Sequence, residues 1–207
     1  MEAVHPSVVA YCVDREDRLF GFNTAWSGLA NRNGDASLES PRLVGGLLWD
    51  FLDEETTQIY RRMLQRVRNG APAIRFAFRC DAPDMRRLIA MEISATESGV
   101  VEFVVTPLVE QERLAVPLLD PAQPRSDGFV LICAWCKRIE LPSDTWVEVE
   151  DAVPALGLFE CDAFPRLSHG ICPDCSDDLM GLVDGSASDE GGVVTLGEIA
   201  STPDSGG

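Results

Sequence analysis

The chain has 207 residues, of which 45% are hydrophobic and 25% are charged, and its net charge at pH 7 is −17. This length allows one domain of ordinary size and a small second unit, and the composition excludes a fibrous chain and wholesale disorder. No apolar run approaches the roughly 18 residues that a membrane span needs, and the N-terminus lacks the layout of a secretory signal. We therefore expect a cytoplasmic protein that does not insert into membranes.

The charge also restricts the partners. A surface with this excess of acidic groups repels phosphate backbones, so we expect no nucleic-acid ligand. The imbalance is greatest at the C-terminus, where residues 176–207 contain acidic residues and no basic ones. Because this end is also rich in glycine and serine, residues 184–207 are predicted to form an acidic flexible tail.

The first half of the chain alternates short strand and helix patterns. Four short patterns come first: strands at 7–13 and 19–22, which flank a polar turn and predict a hairpin, and helical pieces at 25–30 and 43–52. A longer helix then opens at Asp53, whose carboxylate can cap it, and ends at Asn69 and Gly70, which favour a left-handed stop.

Three strand patterns follow the long helix, at 74–80, 87–95 and 100–108, and the turn sequences between them predict an antiparallel meander. Alternation in the first strand predicts a core face of Ile74, Phe76, Phe78 and Cys80 and a solvent face of Arg75, Ala77 and Arg79. On this solvent face, Glu92 and Glu102 of the later strands are candidates to pair with one of the arginines.

This order of elements is that of the PAS fold, which residues 7–110 resemble. The sequence Asn23-Thr24-Ala25-Trp26 resembles the asparagine-led first helix of that family, and residues 44–51 resemble the turn before its long helix. The resemblance implies a sensory or protein-interaction domain, to which we assign residues 1–113. Its apolar pocket has Phe76, Phe78 and Cys80 as candidate lining residues, and the sequence names no ligand for it.

A second module follows a linker. Prolines recur between residues 114 and 128 with few regular signals, so this segment is predicted to be the linker. The second module, residues 129–183, has strand patterns at 129–133 and 145–149 and a helix at 173–183.

The second module contains two cysteine pairs, Cys133 with Cys136 and Cys172 with Cys175, each spaced as CxxC. Two such pairs are what tetrahedral Zn²⁺ takes at a closed structural site, and four thiolates leave no position for a catalytic water. Because a strand carries the first pair and a helix start carries the second, we predict a structural zinc site of treble-clef type. The predicted fold class is therefore α+β, a PAS-like antiparallel sheet with flanking helices followed by this zinc module.

Other interpretations of the same residues stay open. A single CxxC at a helix start, such as that of Cys172 and Cys175, also suits a redox dithiol, so a thiol-based redox switch or oxidoreductase is the alternative. His169 could replace one thiolate or hydrogen-bond near the metal, and Cys161 is a reserve ligand. Lys137 and Arg138, beside the first pair, would offset the negative charge of the thiolates.

The sequence around these cysteines, residues 132–137 and 168–175, resembles a cysteine-rich extension found beside PAS domains in bacterial sensory proteins. With the PAS resemblance, it implies a non-catalytic signalling or regulatory protein. Such a protein would bind a protein partner or form a homodimer. No paired catalytic carboxylates, phosphate-binding loop or Ser/His/Asp set is visible in the sequence, so we expect that the chain is not an enzyme.

Overall fold

The computed structural model describes residues 8–26, 40–158, 161–185 and 193–196. Within them the chain is a mixed α+β protein, as predicted. Its strands and helices are, in chain order, β1 (Val9–Val13), β2 (Leu19–Phe22), α1 (Ser40–Leu43), α2 (Glu54–Arg68), β3 (Ile74–Arg79), β4 (Met85–Ala95), β5 (Val101–Glu112), β6 (Arg125–Cys133), β7 (Ile139–Glu140), β8 (Trp146–Val147), α3 (Val149–Ala155), β9 (Phe164–Gly170), α4 (Pro173–Asp184) and β10 (Val194–Thr195).

The larger sheet has six strands in the order β10-β3-β4-β5-β1-β2. The predicted hairpin is confirmed as the antiparallel pair of β1 and β2, and the predicted meander as β3, β4 and β5. These two parts join where β1 pairs antiparallel with β5. The first two strands therefore lie beside the last strand of the meander, which gives the PAS-like sheet.

Helix α2 covers one face of this sheet. The Asp53 carboxylate accepts a hydrogen bond from the Thr56 backbone N–H at 2.8 Å, which caps the helix as predicted. Gly70 follows the last turn with φ +89°, a left-handed conformation that glycine adopts without strain. The buried side of the helix carries Ile59, Tyr60, Met63, Leu64 and Val67, so its amphipathic pattern fixes which side faces the sheet.

The predicted solvent face of β3 is wrong at Ala77, which is fully buried, and at the C-terminal end of the strand. Arg79 is 1% exposed and pairs with Asp81 and with Glu148, which lies at the start of α3. Cys80, predicted on the core face, lies beyond the strand and is exposed. Arg79 is buried because the second module covers this end of the strand, and a buried arginine is stable only where carboxylates pair with it.

At the other end of β3 the prediction holds. Arg75 makes two hydrogen bonds to the Glu92 carboxylate, at 2.9 and 3.1 Å, from the directly opposite position on β4. Both side chains remain partly exposed to solvent. This pair is a cross-strand contact on the wet face of the sheet.

The second sheet has the order β8-β7-β6-β9, in which β6 and β9 are parallel. Strand β6 begins at Arg125, so it starts inside the predicted linker, and the predicted strand at 145–149 is shortened because Val149 opens α3. A small core lies against this sheet and includes Leu118, Ile132 and Ile139. The division of the chain into 1–113, 114–128, 129–183 and 184–207 stays a prediction.

Part of the predicted flexible tail is ordered. Val194 and Thr195 form β10, which pairs parallel with β3 opposite Phe76 and Ala77. Leu196 is fully buried in the main core, and its backbone N–H donates to the Ala77 carbonyl at 2.9 Å. The prediction is therefore wrong for residues 193–196, because one buried leucine and a strand edge hold them. Most of the tail and most of the predicted helix at 25–30 lie outside the described residues.

Candidate metal centre

The two CxxC pairs converge on one point. The Sγ atoms of Cys133, Cys136, Cys172 and Cys175 all lie within 4.8 Å of one another, and the Cys136 and Cys172 sulfurs are 3.6 Å apart. All four side chains are buried and all four thiols are free. A disulfide would need a sulfur–sulfur distance of about 2.05 Å, whereas ligands around a tetrahedral ion with about 2.3 Å metal–sulfur bonds lie about 3.8 Å apart.

The first pair lies in the tight turn between β6 and β7. The Cys133 N–H donates to the Arg138 carbonyl at 2.8 Å, and the Lys137 N–H donates back to the Cys133 carbonyl at 3.1 Å. Lys137 takes φ +64°, a left-handed conformation that lets the chain reverse within these few residues. The reversal directs both sulfurs of the pair to the same side of the turn.

The second pair opens helix α4. Cys172 is the N-cap residue, and its sulfur accepts a hydrogen bond from the Cys175 backbone N–H at 3.5 Å. Pro173 occupies the first turn, where its missing N–H leaves no intrahelical bond unmade. The backbone N–H groups of this helix end favour negative charge on the two sulfurs.

Strand pairing brings the two pairs together. Because β9 runs parallel to β6, Gly170 lies opposite Cys133, two residues before Cys172. A Cβ atom at Gly170 would come within 3.0 Å of the Leu131 side chain, so glycine permits this close approach. The Ala134 N–H also donates to the Gly170 carbonyl at 2.8 Å, which ties the turn of the first pair to the second.

Arg138 supplies positive charge directly to the sulfurs, as the sequence suggested. Its Nε donates to the Cys136 sulfur at 3.2 Å and an Nη atom donates to the Cys172 sulfur at 3.5 Å. A second contact of this guanidinium, at 2.7 Å, holds it to Asp174. Lys137 differs from this expectation, because its Nζ donates to the Ala134 carbonyl instead of a sulfur. The arginine therefore offsets part of the charge that thiolate ligands would carry.

The four thiols ionise as a group. Hydrogen bonds from the three neighbouring thiols lower the pKa of Cys133 well below its usual range. Hydrogen bonding to the Cys133 sulfur raises the pKa of Cys172 and of Cys175, because their protons serve as donors to the first thiolate. A hydrogen bond with Cys133 raises the pKa of Cys136, but hydrogen bonds from Cys172 and Cys175 outweigh it and lower this pKa to about 6. The protein by itself thus favours thiolates at Cys133 and Cys136, and a bound cation would favour the other two.

The donor set fits a soft or borderline metal ion. Thiolate ligands select ions such as Zn²⁺ over Mg²⁺ or Ca²⁺, which take oxygen ligands. Four sulfurs around one centre complete a tetrahedral sphere. The buried cluster can therefore hold one metal ion as a closed site.

His169 does not belong to this cluster. It lies on β9 beside Ile132 of β6, is exposed, and is not among the described side chains that converge on the four sulfurs. Burial of part of its ring and the charge of Lys137 lower the pKa of His169. Cys161, the other reserve ligand, is also exposed, with its sulfur 3.7 Å from the Gly157 carbonyl.

The candidate pocket residues of the first module have different surroundings from one another. Phe76 is fully buried and Phe78 is half-buried, and their rings lie 5.8 Å apart on the inner side of β3. Cys80 is exposed and lies apart from that surface. Their role in ligand binding stays a prediction.

Trp135 was not singled out from the sequence. It stands between Cys133 and Cys136, yet its ring lies against Tyr60, Phe76 and Phe78 of the first module. The four cysteines and Trp135 accordingly belong to the same buried cluster as α2 and the large sheet. The sequence shows an aromatic residue inside a CxxC turn, but it does not show which distant residues that side chain packs against.

Comparisons with known proteins gave solved structures only. No protein-family model matches the chain, and neither does any curated protein. A domain of an HTR-like protein from Haloarcula marismortui matches 50% of this chain and 99% of that one, with 18% identity and a TM-score of 0.32. A sensory box sensor histidine kinase from Vibrio cholerae matches 51% of this chain and 84% of its own, with 11% identity and a TM-score of 0.36. The photoactive yellow protein domain of the sensor histidine kinase Ppr from Rhodospirillum centenum matches 48% and 90%, with 23% identity and a TM-score of 0.32.

Likenesses of this extent do not place the chain in a family, and the PAS-like description rests on the strand order. Within the described part of the chain, no helix is both long enough and apolar enough to cross a membrane.

Proposed function

We propose that the chain is a non-catalytic signalling or regulatory protein, in which a PAS-like sensor or interaction domain carries a structural Zn²⁺ site. The zinc ligands are Cys133, Cys136, Cys172 and Cys175. The observation that carries the proposal is the convergence of four buried sulfurs from two distant segments of the chain.

The geometry supports a structural role for the ion. Four thiolates fill the coordination sphere, and the site lies inside the main core, so neither water nor substrate has a position on the metal. Binding would stabilise the turn between β6 and β7 against the start of α4. A small module that buries little apolar surface depends on such a clip.

The sensor role has weaker physical support, since a fold does not determine a function. The PAS-like sheet and the net charge of −17 favour a protein partner or a second copy over nucleic acid. Sedimentation of the purified chain tests self-association. A monomer at all concentrations would exclude the homodimer and leave a different protein as the partner.

A thiol redox role is the alternative. It needs a thiolate that an oxidant or a disulfide can reach, and the four sulfurs are buried. Within the described residues the exposed thiols are those of Cys80 and Cys161, and neither belongs to the four cysteines that converge.

Metal analysis with thiol titration tests the zinc site. We expect one zinc ion per chain and four thiols protected from a thiol reagent until a chelator is added. Cys172→Ser should lose the zinc, and Cys161→Ser, which changes an exposed cysteine outside the cluster, should keep it. Metal-free wild-type protein with a reactive dithiol would reject the structural site and favour the redox alternative.

A further inference from the structure

The side chain of Trp135 leaves its own module and enters the other. Its ring stacks on Tyr60 of α2, with centroids 5.8 Å apart and planes at 21°. Its edge meets Phe76 at 5.5 Å and Phe78 at 5.6 Å, both in the T-shaped geometry that aromatic pairs favour. Trp135 is 3% exposed, so these three rings form an enclosed seat for the indole.

The backbone at the same residue is tied to the first module. The Arg79 N–H, at the end of β3, donates to the Trp135 carbonyl at 2.7 Å. The residue is thus held on one side by the sulfur cluster and on the other by β3 and α2. A change in the turn between Cys133 and Cys136 is transmitted to the indole, because Trp135 adjoins Cys136 directly and only Ala134 separates it from Cys133.

The indole is held by packing alone. Its Nε1 is buried and has no hydrogen-bond partner within the described structure. An unpaired buried donor is less favourable than one that is hydrogen-bonded to water, so the N–H favours solvent whenever the turn is released. This unmet donor makes the seated position dependent on the geometry of the turn.

We propose that Trp135 couples metal occupancy of the four cysteines to the aromatic core of the PAS-like domain. With metal bound, the turn between Cys133 and Cys136 is fixed and the indole fills the seat formed by Tyr60, Phe76 and Phe78. Without metal, the turn relaxes, the indole leaves, and the inner surface of β3 becomes available to an apolar ligand. This inference rests on the zinc site proposed above.

Coupling of this kind is reciprocal, which gives the test. If metal binding favours the position of the indole between these rings, then removing one of the rings must weaken metal binding. The coupling between two sites commonly changes affinity 5–150-fold. Phe78→Ala removes one wall of the seat without touching a cysteine. Phe22→Ala is the matched control, since Phe22 is also half-buried on a strand of the same sheet but contacts Tyr11 and Trp26 instead.

Zinc affinity of the full chain is measured by competition with a chelator of known affinity. Phe78→Ala should weaken zinc binding about tenfold, while Phe22→Ala should change it less than about twofold. Equal zinc affinities for wild type and both variants would overturn the coupling and leave the zinc site intact. Wild-type protein that binds no zinc would overturn the site itself, and with it the coupling.

A second measurement needs no substitution. Hydrogen exchange of the wild-type chain is compared with zinc and after chelation, with attention to residues 74–80, whose strand ends in the Arg79 amide. Faster exchange of this segment after chelation supports the proposal, because the Arg79 amide loses the Trp135 carbonyl as acceptor. Unchanged protection of residues 74–80, with faster exchange confined to residues 129–175, would contradict it.

Discussion

Two arginines on strand β3 show that the contribution of an ion pair to the free energy of unfolding depends on its burial. Arg75 is 38% exposed and its pair with Glu92 lies on the wet face, where ion pairs are worth about 0–1 kcal/mol. Arg79 is 1% exposed and its partners Asp81 and Glu148 have little contact with solvent. Removing one member of such a buried pair leaves uncompensated charge and costs about 3–5 kcal/mol.

Replacing each arginine by alanine should therefore give very different results. Arg79→Ala should lower the free energy of unfolding by about 3–5 kcal/mol, and Arg75→Ala should lower it by no more than about 1 kcal/mol. Urea unfolding of the two variants measures both. Similar losses for the two variants would show that Arg79 is not buried between carboxylates.

Arg138 has a different task, because its hydrogen bonds end on sulfur. Groups that hydrogen-bond to metal ligands typically change metal affinity 10–100-fold. Arg138→Gln should weaken zinc binding by about tenfold. Lys137→Gln is the control, since the Lys137 ammonium bonds to the Ala134 carbonyl. A loss of zinc affinity that is equal in both variants would assign the effect to net charge instead of these hydrogen bonds.

Local pattern predicted the four cysteines that converge but not their surroundings. The CxxC spacing was enough to expect four converging thiols and a neutralising Arg138. The alternation along β3 could not show that Arg79 is buried, because its partner Glu148 lies 69 residues further along the chain. The error at Arg79 thus comes from the cover that a distant segment provides, whereas the error at Cys80 arises because the strand already ends at Arg79.

At the scale of elements, the strongest local signals gave correct predictions. Helix α2 has a capping carboxylate, a clear apolar side and a glycine stop, and it was predicted almost in full. The hairpin and meander were predicted from turn residues between apolar runs. Strand β10 was missed, since a run of only four residues between Gly192 and Gly197 carries too little periodicity to indicate a strand.

The role of β10 depends on Leu196, the fully buried residue that follows it. Leu196→Ala should lower the free energy of unfolding by about 2–5 kcal/mol, because it opens a cavity in the main core. Val193→Ala, which changes a residue that is 45% exposed, should have an effect of less than about 0.5 kcal/mol. Thermal or urea unfolding distinguishes them, and a neutral Leu196→Ala would show that the segment does not pack on the sheet.

At the scale of the whole molecule, the two predicted modules share one core. The four cysteines, Trp135 and Leu179 of α4 are buried together with α2 and the large sheet. The sequence favoured two separate units because a proline-containing segment stands between them, and composition alone does not show which surfaces meet. In the structure, the sulfur cluster is buried in the same core as the large sheet.

The central claim is that one ion binds all four sulfurs. X-ray absorption at the zinc edge tests it most directly, on the full chain as purified. The account predicts four sulfur neighbours at about 2.3 Å and no nitrogen ligand, since His169 lies outside the cluster. A first shell with nitrogen or oxygen in place of a sulfur, or protein without zinc, would contradict it.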